Sequence, residues 1–452
     1  MDQSSFVYDS YTLLNNRTHV DLTYTTNHKG ETFSFSESYI FEKPLPESLE
    51  THRLLRMLHL ASGISYYKLF FNTDIEHPYA MSTKESAFWN NIFLNGLGEY
   101  LYVNDLSADA LATFGPQEGH STPTSLRVTL APKALLGIGG GKDSIVAGEL
   151  LKSIGIPLEG FVLATGDTTA QAAAVGSIMH VPTHIVRRRL DQSLMNLQSR
   201  PDTYKGHIPV SLLFAITGAL LAVTYSTSYV IVANEASASI PRAHHNDTPV
   251  NHQWSKSFEA EKLIQQYMQE YVHADLIYFS AIRPLSSVAV AKIFSDFPKY
   301  FTTFTSDNFG FRINAQKRPN NRWSAESPKT LSSYILLCAW LNEAQLLEVF
   351  GEDFMNNKRL EHEFLQLMGI EGEQPLDCVG TPQELRASLS QAYNRGILLK
   401  SHLMKLAISS GIIFTDHPST PNVEQLLRQN TEHAFPPALI QKLQTRITEV
   451  IA

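Results

Sequence analysis

The run Gly137-Ile138-Gly139-Gly140-Gly141-Lys142-Asp143-Ser144 gathers most of the groups that a phosphate site needs. Glycines let a backbone approach a ligand closely, and the free N–H groups at a helix N-terminus favour an anion. Lys142 adds a cation, Ser144 a hydroxyl, and Asp143 a carboxylate that can cap the helix or hold magnesium. Spacing excludes two common loops. A Walker A loop has a glycine five positions before the glycine of its Gly-Lys pair and Ser or Thr after the lysine, but Leu136 and Asp143 stand there. The dinucleotide fingerprint starting at Gly137 requires a third glycine where Lys142 stands. The competing reading is a tight glycine-rich turn with no ligand.

Other residues could do acid–base or anion chemistry. His252, Ser255, Lys256 and Glu259 put a base, an ammonium and a carboxylate within two turns if the segment is helical, although single residues of these types are often only surface groups. Asp377-Cys378 offers a thiol suited to proton transfer, with a buried small apolar residue as the alternative. Arg187-Arg188-Arg189 is the dense basic run, able to grip a diphosphate or carboxylate or else simply solvated. His244, His245 and Asp247 look like a metal cluster, but adjacent side chains seldom converge on one ion, so an exposed loop is expected. Leu163-Ala164-Thr165-Gly166-Asp167 ends an apolar run in small residues, as strands do where open α/β sheets bind ligands, with a plain strand-ending turn as the alternative.

The elements that must position these groups follow from periodicity. Val20, Leu22 and Tyr24, then Phe33 and Phe35, alternate with polar residues about the turn Asn27-His28-Lys29-Gly30, which predicts a hairpin. Helical spacing follows at Leu54–Leu60 and at Phe88–Leu101. Residues 1–130 therefore read as an α+β domain, with the Pro- and Gly-bearing stretch Thr113–Pro132 as its connection onward. In residues 131–452 strands are expected at 134–138, 160–165, 183–186 and 229–233, and helices at 143–154, 168–179 and 209–225. That alternation predicts an α/β fold whose parallel sheet is covered on both faces, followed by C-terminal helices. The apolar stretch Pro209–Val223 is too short and too broken by Ser211, Thr217 and Gly218 for a membrane span, so it reads as a buried helix.

Composition bounds the function. With 36 basic and 44 acidic residues the formal charge is −8, which disfavours broad nucleic-acid binding. Cys338 and Cys378, the two cysteines, exclude a disulfide scaffold and a multi-cysteine zinc site. The start Met1-Asp2-Gln3-Ser4-Ser5 has no basic or apolar leader character, so a cytoplasmic protein without membrane insertion is expected.

The glycine loop resembles the PP-loop of the N-type ATP pyrophosphatases, Ser-Gly-Gly-x-Asp-Ser: Gly140, Gly141, Asp143 and Ser144 match, and Gly139 replaces the first serine. The wider chain resembles the MurL family of UDP-MurNAc-L-alanyl-L-glutamate epimerases. The resemblance runs through Leu60–Lys68, the loop, Asn234–Ala238, Val250–Ser257 and Gly369–Gly380. It implies an adenine-nucleotide α-hydrolase sheet that binds ATP and magnesium through Gly139–Ser144, with adenine near Thr165, Gly166 and Asp167. The implied substrate is UDP-MurNAc-L-Ala-L-Glu, with inversion of the terminal L-glutamate in peptidoglycan precursor synthesis. Adenylation would neutralise the α-carboxylate and so acidify the α-hydrogen, and capture by the neighbouring amide oxygen would give an oxazolone with an acidic α-proton. His252, Lys256, Glu259, Asp377 and Cys378 are then the proton-transfer candidates, and Arg187, Arg188, Arg189, Asn234, Glu235 and Lys329 the substrate-binding ones. One departure stands out: Ser324, Ser327 and Thr330 occupy the positions of an expected C-x2-C-x2-C pattern, and hydroxyls do not replace thiolates on zinc, so no structural zinc is expected. Two other functions keep the loop: adenylation of a tRNA base or deazapurine carboxylate, and non-catalytic sensing of an adenine nucleotide.

Overall fold

The computed structural model describes residues 4–119, 129–165, 169–245, 248–307, 322–413 and 422–452. Gly166, Asp167, Asp247 and the middle of the expected connection after Thr113 lie outside these residues.

The chain opens with three long strands, β1 (Ser5–Leu14), β2 (His19–His28) and β3 (Glu31–Ile40). The hairpin expected between β2 and β3 is present. His28 faces Glu31, and the two residues between them, Lys29 and Gly30, take φ of 51° and 80°, the positive values that two-residue hairpin turns require. A short β4 (Asp74–Glu76) pairs with β1. The parallel set follows: β5 (Ala131–Gly137), β6 (Leu158–Thr165), β7 (Thr183–Arg189), β8 (Thr227–Val232) and β11 (Ile277–Ser280). Among the described residues nine strands form one sheet in the order β11-β8-β5-β6-β7-β3-β2-β1-β4. Strands from both sides of residue 130 thus share a sheet, joined where β3 runs antiparallel to β7.

Alternation along each parallel strand divides the interior in two. Leu135, Phe161, Leu163, Val230 and Tyr278 face a core shared with β1–β3 and the helices Leu49–Tyr67, Val210–Thr224 and Phe258–Tyr271. Ala134, Leu136, Val162, Ile231 and Phe279 face the other core, filled by helices Lys142–Ser153, Thr169–Met179 and Ser287–Ser295 and by the C-terminal helices. Helices therefore cover both faces, as expected. The apolar helix Val210–Thr224 lies in the first core, and among the described residues no helix is long and apolar enough to cross a membrane.

Three local expectations change. The helix expected over Phe88–Leu101 is two, Thr83–Gly96 and Gly98–Val103, hinged at Leu97. His244 and His245 lie not in an open loop but on β9 (Ala243–His245), which pairs with β10 (Thr248–Val250) in a small hairpin. The strand expected to end at Val186 runs on through the arginines to Arg189, so Arg188 points inward while Arg187 and Arg189 are exposed on the other side. A period of two forbids the three from closing on one ligand.

Candidate active site

Where β5 ends, Ile138 to Gly141 turn the chain into the helix Lys142–Ser153, the strand–loop–helix setting that the glycines predicted. Gly140 has φ of +85°, a conformation costly for any residue with a Cβ, and its carbonyl accepts from the Thr305 amide at 3.2 Å. A Cβ at Gly139 would meet nothing within 4 Å, so the loop backbone is open on that side. Ser144 Oγ donates to the Gly141 carbonyl at 3.0 Å. The capping role considered for Asp143 is not what is found. Gly141 is the N-cap residue without a side-chain cap bond, and Asp143 Oδ1 instead accepts from Lys142 Nζ at 2.7 Å. Burial pulls the Lys142 ammonium down, but Asp143 and Glu235 outweigh it, and its pKa ends above the usual lysine value.

Gly139, Gly141, Lys142, Asp143, Ser144 and Thr165 open onto a cleft of about 660 Å3 that is also lined by His252, Lys256, Lys329, Asp377 and Cys378. Residues far apart in the chain meet there. Lys256 Nζ lies 3.5 Å from Cys378 Sγ, Lys329 Nζ 3.3 Å from Asp377 Oδ1, and His252 Nε2 3.8 Å from Asp377 Oδ1. Burial alone would raise the Cys378 thiol, but Lys256, Lys329 and a hydrogen bond with His252 bring it down to about 6. Burial likewise pulls His252 down, and its hydrogen bonds to Cys378 and Glu99 lift it to about 9. A thiolate beside an imidazolium results at neutral pH. Cys338, by contrast, is fully buried and pushed by burial up to about 12, the inert apolar role also considered for Cys378.

Donor atoms of His252, Asp377 and Cys378 lie within 4.8 Å of one another, close enough to share a metal ion. Two ammonium groups already face those atoms, and a dication would have to displace them. Proton transfer suits this donor set better.

The remaining expectations divide. Asn234 and Glu235 line the cleft, Glu235 accepting from Ser287 Oγ at 3.3 Å. Glu259 is exposed and accepts from Trp254 Nε1 at 3.0 Å; Ser257 starts a new helix between it and His252, so the two do not share a face. Arg188 reaches the cleft wall, but Glu37 Oε1 and Oε2 take its guanidinium at 2.7 and 3.2 Å and Ser65 Oγ at 3.1 Å. Its charge is spent on a buried pair rather than left for a ligand. Ser324 and Thr330 are organised by Asp307 Oδ2, which accepts from the Ser324 amide at 2.7 Å and Thr330 Oγ1 at 3.3 Å.

Four lining or neighbouring groups carried no sequence signal as site residues: Lys68, Glu99, His207 and Arg242. Lys68, in the resembling segment Leu60–Lys68, donates to the Gly206 carbonyl and is brought by burial, against the pull of Glu99, down to about 8. The His207 ring lies against that of His252, with centroids 4.8 Å apart and planes tilted by 40°. Glu99 accepts from His252 Nδ1 across 153 residues of sequence, a separation no local motif spans.

The fold and cleft can be set beside known proteins. Residues 1–281 match the MurL N-terminal domain and residues 303–409 the MurL C-terminal domain. The UDP-N-acetyl-alpha-D-muramoyl-L-alanyl-L-glutamate epimerase of Xanthomonas oryzae pv. oryzae is 30% identical over 390 residues, 86% of this chain and 85% of its own. The proteins of that name from Micromonospora sp. and Salinispora tropica are 29% and 30% identical, each over 75% of this chain and 74% and 72% of their own. The chain therefore belongs to the MurL family.

Proposed function

We propose that the protein inverts the terminal L-glutamate of UDP-MurNAc-L-Ala-L-Glu to D-glutamate, using ATP to adenylate the α-carboxylate and releasing AMP and pyrophosphate. The observation that carries this reading is that the glycine loop and the Cys378–His252 cluster open onto one cleft. Activation and proton transfer can then act on the same carboxyl group. Relatives bearing the epimerase name support the substrate.

The loop fits a polyphosphate: Gly139 leaves space against its backbone, and the first amides of helix Lys142–Ser153 point to its end. On this reading the sheet is of the PP-loop type, with the β- and γ-phosphates held at Gly139–Ser144 and Lys142. Asp143 and phosphate oxygens form the hard oxygen set that magnesium prefers, and magnesium there would share a carboxylate with Lys142 and neutralise phosphate charge. Residues before 130 contribute Lys68 and Glu99 to the cleft region and would serve substrate recognition.

An α-hydrogen beside a carboxylate is barely acidic because its loss puts a second negative charge on one small framework. Adenylation removes the first charge. Cys378, held as a thiolate by Lys256, Lys329 and His252, then takes the proton from one face; return of a proton to the other face and hydrolysis complete the inversion.

The test is incubation with ATP, magnesium and UDP-MurNAc-L-Ala-L-Glu, followed by glutamate chirality and AMP measurement. D-glutamate with AMP is expected; unchanged L-glutamate with no AMP overturns the proposal. Asp143→Ala should abolish AMP release. Cys378→Ser should lose inversion on the order of 10²- to 10⁴-fold while AMP still forms; unaltered epimerisation would remove Cys378 from the reaction.

A further inference from the structure

We propose that Glu99 is a positioning residue for the Cys378–His252 pair: its carboxylate holds the His252 imidazole by Nδ1, so that the far side of the ring serves Cys378. The proposal rests on the reading that Cys378 transfers a proton, and it adds a third member to that site from the opposite end of the chain.

The geometry is that of a base oriented by a carboxylate. Helix Gly98–Val103 delivers Glu99, whose Oε2 bonds His252 Nδ1, and the two side chains are only 13% and 11% exposed. The other ring nitrogen, Nε2, lies 3.8 Å from Asp377 Oδ1, and a ring nitrogen of His252 lies within 4.8 Å of the Cys378 sulfur. An imidazole bonded to a carboxylate through Nδ1 is fixed in orientation, and its protonated form is favoured. A protonated ring beside Cys378 favours the thiolate in turn.

Other charged groups face the pair and must be counted. Lys256, Lys329 and Arg242 surround Cys378, Asp377 adjoins it, and Glu363, raised first by burial, also feels the Asp377 charge. Lys68 and His207 face the His252 side. His207 is driven well below the usual histidine range, first by burial and then by the surrounding cations, so it stays neutral while the pair titrates. The lysines would remain in a Glu99 variant, so the thiol should move only part of the way back to its ordinary value.

The experiment is carbamidomethylation of the full chain by iodoacetamide between pH 5 and 10, with Cys378 followed by mass spectrometry. Neither ATP nor the nucleotide-sugar substrate is present, so a failed epimerase assay and a failed Glu99 role are distinguishable. Wild-type labelling should rise through an inflection near pH 6. In Glu99→Gln the inflection should move up by about one unit, a roughly tenfold loss of thiolate on the acid side, with the alkaline plateau kept; Glu99→Asp should restore much of it. An unmoved inflection, whether or not the plateau falls, overturns the proposal, because a merely structural role would change access and not the titration. Cys338 is the internal control, since it labels only if the chain opens. Should Glu99→Gln open in this way, the decision passes to the wild type: histidine-selective 15N NMR at pH 7 must show His252 as an imidazolium with its Nδ1 proton hydrogen-bonded, and a neutral ring overturns the proposal.

Discussion

Cys378 shows how little a residue type determines by itself. The same thiol that burial renders inert at Cys338 is drawn toward the anion at Cys378, because Lys256, Lys329 and His252 outweigh burial. The pair also sets a pH dependence. On the proposed mechanism Cys378, at about 6, has to be deprotonated to accept a proton, and His252, at about 9, protonated to stabilise the thiolate. The epimerase kcat/KM should therefore rise as pH climbs through about 6 and fall as it climbs through about 9, the two limbs belonging to the coupled pair rather than to single residues. A profile flat from pH 5 to 10 would separate these groups from the rate. Arg188 shows the converse at the same scale: a residue type suited to phosphate is committed to Glu37, with the two side chains 5% and 0% exposed.

Among the elements, helix Leu49–Tyr67 carries the clearest dependence of stability on pH. Its His59 is buried against Tyr24, stacked at 4.9 Å, with Nε2 donating to the Thr23 carbonyl at 3.0 Å and Nδ1 accepting from Tyr79 at 2.6 Å. That arrangement needs the neutral ring, and burial, partly opposed by the Thr23 bond, lowers its pKa to about 4. The unfolded chain binds the proton first, near pH 6.5, so the stabilisation is whole above that value and is lost as pH falls toward 4. The loss should amount to about 2–3 kcal/mol. Urea titrations at pH 7.5 and 4.5 check this: the wild type should lose more stability between them than His59→Gln, and equal losses would refute the assignment. The same helix presses so closely on the sheet that a Cβ on Gly63 would stand 2.2 Å from a Tyr8 ring carbon.

For the whole molecule, the join between β3 and β7 decides what folds together. It carries the Glu37–Arg188 pair, a bond from the Ser36 amide to Asp191 Oδ2 at 2.8 Å, and a core in which Phe6, Tyr24 and Trp89 share the interior with Leu212, Ile216 and Tyr267. A fragment of residues 1–130 would leave Glu37 without Arg188 and that core without its later helices; removing one partner of such a buried pair costs about 3–5 kcal/mol. We expect the fragment to lack a dispersed amide spectrum and to bind a hydrophobic dye. A well-dispersed spectrum would show that the first 130 residues fold alone. The join also brings Glu99 to the cleft edge, where it meets His252.

What the sequence determined by itself was local. Alternation and three- and four-residue spacing reveal the β2–β3 hairpin, the parallel strands and the buried helix Val210–Thr224, because each pattern reflects one element burying one face. The glycine loop was legible for the same reason, since all its groups lie within one turn of chain. Tertiary structure alone decided which candidates meet. It set Cys378 beside His252 and Lys256, turned Glu259 away and committed Arg188 to Glu37. It also brought in Lys68, Glu99, His207 and Arg242. Proton transfer depends on distances of a few ångströms and on the field of charges from several elements, and neither is encoded in the spacing of any one segment.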